Sequence, residues 1–442
     1  MEPDPQCDVL VIGGGPAGST IATLLARQGR QVTLLEKEHH PRFHIGESLL
    51  PGNVALFDKL GVREQVDRIG MPKFGIEFVP PDSTERSYVD FAEGWDPAKG
   101  AAWQVRRSEL DEVLFRNAAQ AGAVALEGAK VRQVDFDAEG ATVQAVMDDG
   151  SKRQWRTRFV VDASGRDTVL ANKFKSKQKN LEHNSTALFG HFRNARRLEG
   201  TREGNISICW FEHGWFWFIP LADGTTSVGA VCWAYYLKAR GEVPLKQYFL
   251  DTIKMCPELH DRLKDAALVD DAVHATGNFA YSSTHATGER YLMLGDAFTF
   301  IDPMFSSGVF LAMQSAFDGA ELVATALDRP AELPAARRAL EAQIRSGPRD
   351  YSWFIYRVTN PTIRDMFMHP KNMFKVKQGL MSLLAADLGH GPAYRRSLFM
   401  FKVVYYFVSL MNWRRTYEGW KRHRANIRDM GMLKGETILK AE

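Results

Sequence analysis

The sequence predicts an α/β fold: a Rossmann-like domain assembled from separated segments, a β-sheet platform and a helical C-terminal region. Three observations carry this. The chain opens with a strand, glycine loop, helix, strand unit, CDVLVIGGGPAGSTIATLLARQGRQVTLLEKE (7–38). Apolar strands ending in small and acidic residues return far downstream, at 160–165 and 291–296. After residue 330 the apolar spacing becomes helical, beginning with ELPAARRALEAQI.

The first unit is the most informative. CDVLVI is a β-branched apolar run, STIATLLARQ carries strong helix formers, and QVTLLE resumes a strand. Between them stands Gly13-x-Gly15-x-x-Gly18, with Pro16 and Ala17 inside it. Gly13 permits the tight turn, Gly15 lets the backbone approach a pyrophosphate, and Gly18 allows close packing of helix on strand. Phosphates sit at such a helix N-terminus because its free N–H groups and dipole favour anions. Glu36 ends the second strand, where an acid accepts hydrogen bonds from a ribose. The alternative of a plain glycine-rich turn fits the loop but not the placement of the acid.

Length and composition bound the rest. A chain of 442 residues exceeds one simple core, and 25% charged with 45% hydrophobic residues is ordinary globular composition. A net charge of +3 makes no case for nucleic acid. Cys7, Cys209, Cys232 and Cys256 have no metal-type or disulfide spacing, so no metal is expected and a reducing cytoplasm fits. No signal peptide is apparent, and FKVVYYFVSLMNW (401–413) is too short to span a bilayer. MFMHP (366–370) reads as loop.

Three segments resemble the para-hydroxybenzoate-hydroxylase-like flavoproteins and point to FAD. VRRSELDEVL (105–114) places Arg107 ahead of a helix. VVDASGRDTVL (160–170) ends a strand in Asp162. YLMLGDAFTFIDPMFSSGV (291–309) carries Gly295–Asp296 and the loop of Pro303. The resemblance implies a GR2-type FAD domain built from 1–70, 100–170 and 280–330. It also implies a sheet platform from 71–99 and 171–279, with 331–442 helical. ATVQAVM (141–147) is read as part of a meander in the FAD domain, and GTTSVGAVCW (224–233) as a platform strand.

Over residues 5–325 the chain further resembles the flavin-dependent halogenases, nearer the phenol, pyrrole or carrier-protein members. GGGPAGS (13–19) and HIGESLLP (44–51) match their segments. Trp215, Trp217, Ile219 and Pro220 match W-x-W-x-I-P, and Phe300, Pro303, Ser306 and Gly308 match F-x-x-P-x-x-S-x-G. This resemblance implies that reduced FAD, O2 and chloride or bromide yield hypohalous acid. Reducing equivalents would come from a separate flavin reductase, since only one full glycine loop is present. Ser307 and Gly308 would offer backbone N–H groups to the halide. Side-chain capping of the following helix by Ser306 or Ser307 is the plainer role. Lys73, in MPKFGIEF (71–78), would hold or activate the hypohalous acid, whereas a lone lysine of this kind is more often a solvated turn residue. Trp215 and Trp217 share a strand face, and would either wall a channel between flavin and substrate or simply be core.

The Phe/Tyr/Met-rich run 398–413 fits core packing or an apolar aromatic or polyene-like substrate, free or on an acyl carrier protein. The basic cluster at 414–424 fits an acidic carrier, an anionic lipid headgroup (a peripheral membrane contact) or a solvated face. Two other functions stand beside halogenation. One is a monooxygenase or geranylgeranyl-reductase-like oxidoreductase on an isoprenoid or polyketide. The other is an FAD-holding scaffold without catalysis.

Overall fold

The computed structural model describes residues 6–81, 85–180, 185–277, 280–357, 360–368, 375–387 and 391–432. Two sheets organise it. In the first, the strands run in the order Val124–Leu126, Val32–Leu35, Gln6–Ile12, Lys152–Asp162, Ala141–Met147, Ala129–Phe136, with Tyr291–Met293 also on Lys152–Asp162. The long strand Lys152–Asp162 belongs to two patterns at once. Its first half pairs antiparallel with ATVQAVM, and its second half runs parallel to the opening strand and to Tyr291–Met293. The opening helix Pro16–Arg27 and the long helix Gly308–Asp328 pack together beside this sheet. Its parallel strands read as continuous apolar runs because both faces are covered.

The second sheet takes its strands from Gly75–Val79, Ser87–Asp90 and the stretch from Ser185 to Gly277. It is antiparallel except where Ile206–Phe211 runs beside Gly75–Val79. Every residue of Gly214–Pro220 is buried, so both faces of this strand are core. Alternation sorts them. Phe216 and Phe218 join the layer containing Phe249, Ile253 and Leu259 from the helices Leu245–Lys254 and Pro257–Leu263. Buried Arg262 ties that layer to the sheet by ion-pairing with buried Glu77, Nη1 to Oε2 at 2.9 Å.

Trp215, Trp217 and Ile219 take the opposite face. They share one apolar cluster with Met304, Phe305, Tyr351, Phe354, Leu380 and Leu384. The helices Leu333–Ile355, Pro361–Met368, Val376–Leu384 and Gly391–Met411 therefore cap this face of the platform. Residues 366–368 end a helix where the sequence reads as loop, while 369–370 lie outside the described residues.

Candidate functional site: a dinucleotide cavity with a buried lysine behind its wall

A cavity of about 760 Å³ runs between the glycine loop and the start of Gly308–Asp328. Gly13 adopts φ +99°, and a Cβ there would lie 2.5 Å from the Ala163 carbonyl oxygen. A Cβ on Gly18 would fall 1.9 Å from the Gly13 oxygen, so Gly18 works beneath the cavity, in packing. Gly15, Pro16 and Ala17 line it. The helix Pro16–Arg27 starts there without a side-chain cap, leaving its first N–H groups to the cavity's contents.

Glu36 also lines the cavity and is buried. Its Oε2 accepts the Gly14 N–H at 2.7 Å and its Oε1 accepts the Glu38 N–H at 3.0 Å. Arg107 is the first residue of the helix Arg107–Gln120, and it lines the cavity. Its guanidinium forks onto Asp111, Nε to Oδ1 at 2.9 Å and Nη2 to Oδ2 at 3.0 Å, and donates to the Ile45 oxygen at 2.8 Å. Burial alone would raise the Asp111 carboxyl, but Arg107 and then Arg42 outweigh it and hold the group below its ordinary range. Arg42 also reaches Glu36 at 3.5 Å. This arginine joins the two acids, and the sequence reading missed it. Arg42 lies in no recognised spacing, and the Arg107–Asp111 pair was visible only as i,i+4 on a helix.

Gly295 and Asp296 stand at the far wall. Burial pushes the Asp296 carboxyl up to about 6, opposed by Arg107 and Arg166. Pro303, Ser307 and Gly308 complete the wall. Ser306 takes the left-handed turn at φ +56°, and Ser307 is the helix N-cap. Neither serine caps the helix through its side chain as expected. The helix start lines the cavity without a side-chain cap, which turns towards it the first-turn N–H groups that have no partner within the helix, and a Cβ built on Gly308 would meet nothing within 4 Å.

Other expected site residues lie elsewhere. Asp162 is fully buried off the cavity, where its carboxylate accepts the Ser164 N–H at 3.0 Å and the Leu170 N–H at 2.6 Å. It shapes the loop after the strand rather than lining the cavity. Trp215, Trp217, Ile219 and Pro220 do not line the cavity either. The indoles sit 6.2 Å apart at 55°, and Trp217 donates to Ser227 Oγ at 3.1 Å. Phe189, which does line the cavity, has its ring centroid 6.0 Å from that of Trp217.

Lys73 ends the short strand Met71–Lys73, paired with Ala102–Gln104. It is fully buried, not a solvated turn residue. Its Nζ donates to Ser48 Oγ at 2.9 Å and to the Leu49 oxygen at 3.0 Å, and lies 5.2 Å over the Phe91 ring. Among the described residues no carboxylate is ion-paired with it, and burial lowers its pKa to about 7. Lys73 itself is off the cavity, but Ser48 lines it. The serine is the second residue the sequence reading passed over, although it lies inside the quoted HIGESLLP. No group of three or more His, Cys, Asp or Glu among the described residues could hold a metal.

The cavity fits FAD on its own geometry. Gly13 and Gly15 leave the room a pyrophosphate needs, the buried acid Glu36 lines the same space and would suit a ribose, and two helix starts without side-chain caps face it. The fold and site define an FAD-binding flavoprotein, and residues 6–333 match the FAD binding domain family. The chain is 34% identical over 346 residues to the flavin-dependent halogenase armH3 of Armillaria mellea, covering 72% of this chain and 68% of that one. The myxobacterial chondrochloren halogenase CndH superposes with a TM-score of 0.77 at 29% identity, over 88% of this chain and 99% of that one. A flavoprotein/dehydrogenase of Cytophaga hutchinsonii gives 0.82 at 26%, over 92% and 100%. The chain belongs to the flavin-dependent halogenases. It spans 60–68% of the length of the curated relatives it matches.

Proposed function

We propose that the protein halogenates an electron-rich aromatic or polyene-like substrate with hypohalous acid, and that Lys73 presents that acid to the substrate. The single observation behind this is a fully buried lysine with no ion-paired carboxylate among the described residues, tied through Ser48 to the wall of the FAD cavity. Reduced FAD, when bound, supplies the activation of O2 that turns chloride or bromide into hypohalous acid. Electrons reach it from a separate flavin reductase.

The chain's own residues do the rest. The free N–H groups at Ser307 and Gly308 hold the halide at a helix start. With its pKa near 7, Lys73 is available as ammonium or amine. The ammonium donates to the hypohalous oxygen and makes the halogen more electrophilic. The substrate carbon then forms its bond to halogen as the oxygen–halogen bond breaks, and the carbon's proton leaves with hydroxide as water. Trp215 and Trp217 back the loop that carries Pro303 to Gly308 with a dry core and so exclude water from that side.

The test is incorporation of bromide or chloride into a phenolic probe by the purified chain with a flavin reductase, NADH and O2. Halide-dependent product in the wild type and its loss in Lys73→Met support the proposal. NADH-dependent turnover without halide incorporation favours an oxygenase or reductase, the reading nearer the dehydrogenase-like neighbour. Bound FAD without any turnover favours a scaffold.

A further inference from the structure

The helix Gly391–Met411 buries Tyr394, Leu398, Phe401 and Tyr405 against the platform-capping core. A surface helix normally turns charge outward. Here the outer face carries Phe399, Val403, Tyr406, Phe407 and Leu410, exposed between 42% and 72%. The stripe continues onto Trp413–Met432 through Trp413, Tyr417 and Trp420, all exposed. Contiguous patches of this kind on a folded surface mark an interaction site.

The charges around it say what kind. From 391 to 424 the sequence has eight Lys and Arg against one carboxylate, Glu418. Arg414 lies 5.5 Å from the Trp413 ring and Arg424 lies 4.4 Å from that of Trp420, so cations rim the aromatics directly. Arg415 is partly neutralised by Asp365 at 2.7 Å. A second copy of the chain is a poor occupant, because a two-fold contact would set this cationic rim against itself. Aromatic rings with Lys and Arg at their edge are the composition of helices that lie in a lipid headgroup region. No helix among the described residues is long and apolar enough to cross a membrane, so the contact is with one leaflet.

We infer that the outer face of Gly391–Met411 and the first turns of Trp413–Met432 dock the protein on an anionic lipid bilayer surface. The stripe inserts Phe407, Leu410 and Trp413 at the headgroup level, and Arg414, Lys421 and Arg424 meet lipid phosphates. This places the capping helices of the platform, and not the FAD cavity, at the membrane.

The experiment is flotation of the full FAD-loaded chain with vesicles of phosphatidylcholine alone or phosphatidylcholine with phosphatidylglycerol. The expected result is binding to the anionic vesicles that weakens with added salt, with Phe407→Asp/Leu410→Asp lowering the bound fraction at least tenfold. Each of Arg414→Gln and Lys421→Gln should weaken it roughly fivefold. Retained FAD fluorescence quenching shows that the variants are folded. Three results would overturn the inference: no binding to either vesicle, equal binding to both, or wild-type binding by the double aspartate variant. Capture by an acyl carrier protein without vesicle binding would assign the face to that partner instead.

Discussion

The cavity wall and the tryptophan core lie on opposite sides of the Pro303–Gly308 loop and are built on opposite principles. The wall is made by what side chains leave out: glycines, uncapped helix starts and the small turn of Gly295, with Glu36 held in place by the N–H groups of Gly14 and Glu38. The core is made by what side chains fill in, with indoles, phenyl rings and aliphatics from the platform and the capping helices in one cluster. Lys73 belongs to neither pattern. It has the burial of the core and the polar linkage of the wall. Under the proposed function, a site that passes on a reactive small oxidant needs both properties at one position, and Lys73 has them.

The largest effect expected is at that position. Lys73→Met should lower halogenation by ~10²–10⁴-fold, measured as halide incorporation, with FAD affinity unchanged. The same variant carries a pH signature. The folded pKa of about 7 lies below the ordinary lysine value of 10.5, so the folded state binds fewer protons than the unfolded state between them. Wild-type stability should therefore rise with pH from about 7 towards 10.5, and this contribution should be missing from a Lys73→Met melting series. A slope retained in the variant would place the titration elsewhere.

Next comes the core. Trp217→Ala should cost ~3–5 kcal/mol of stability, read from denaturant unfolding, while the FAD dissociation constant of the folded protein stays within a few-fold. Loss of FAD binding at unchanged stability would make Trp217 part of the cavity. Gly15→Ala sharpens the other side. A Cβ there meets only Arg42, at an ordinary 3.5 Å, so the protein should fold. It should bind FAD about tenfold or more weakly, ~1.4 kcal/mol, by titration of flavin fluorescence.

Ser48→Ala is the smallest. It removes an acceptor from the Lys73 ammonium, which favours the neutral amine. The midpoint of the kcat–pH profile should move to lower pH with about a fivefold change in kcat. An unmoved midpoint would break the link between wall and lysine.

These two regions were not equally legible. Gly13, Gly15, Glu36, Arg107, Gly295 and Asp296 all line the cavity, and their place there was readable because short spacing and strand or helix ends, which the chain writes locally, mark them. Asp162 was misplaced for the same reason. A strand-end acid looks alike whether it turns to a ligand or to its own loop, and only the N–H groups of Ser164 and Leu170 distinguish the cases. Arg42 and Ser48 were missed because their partners, Asp111 and Lys73, are distant in sequence. The W-x-W pair was recognised, but which face of a doubly covered strand it takes is decided by the capping helices. Those helices carry no motif.

The shared cluster of Trp215, Trp217 and Ile219 with Tyr351, Phe354, Leu380 and Leu384 limits how the chain can be recombined. The FAD-domain match stops at residue 333, which invites grafting of a foreign C-terminal part at that seam. Such a chimera would uncover an indole-bearing sheet face that its new tail was not shaped to fit. Transplanting specificity into this scaffold therefore means exchanging the capping helices together with the inner face of the Gly214–Pro220 strand, as one inherited unit.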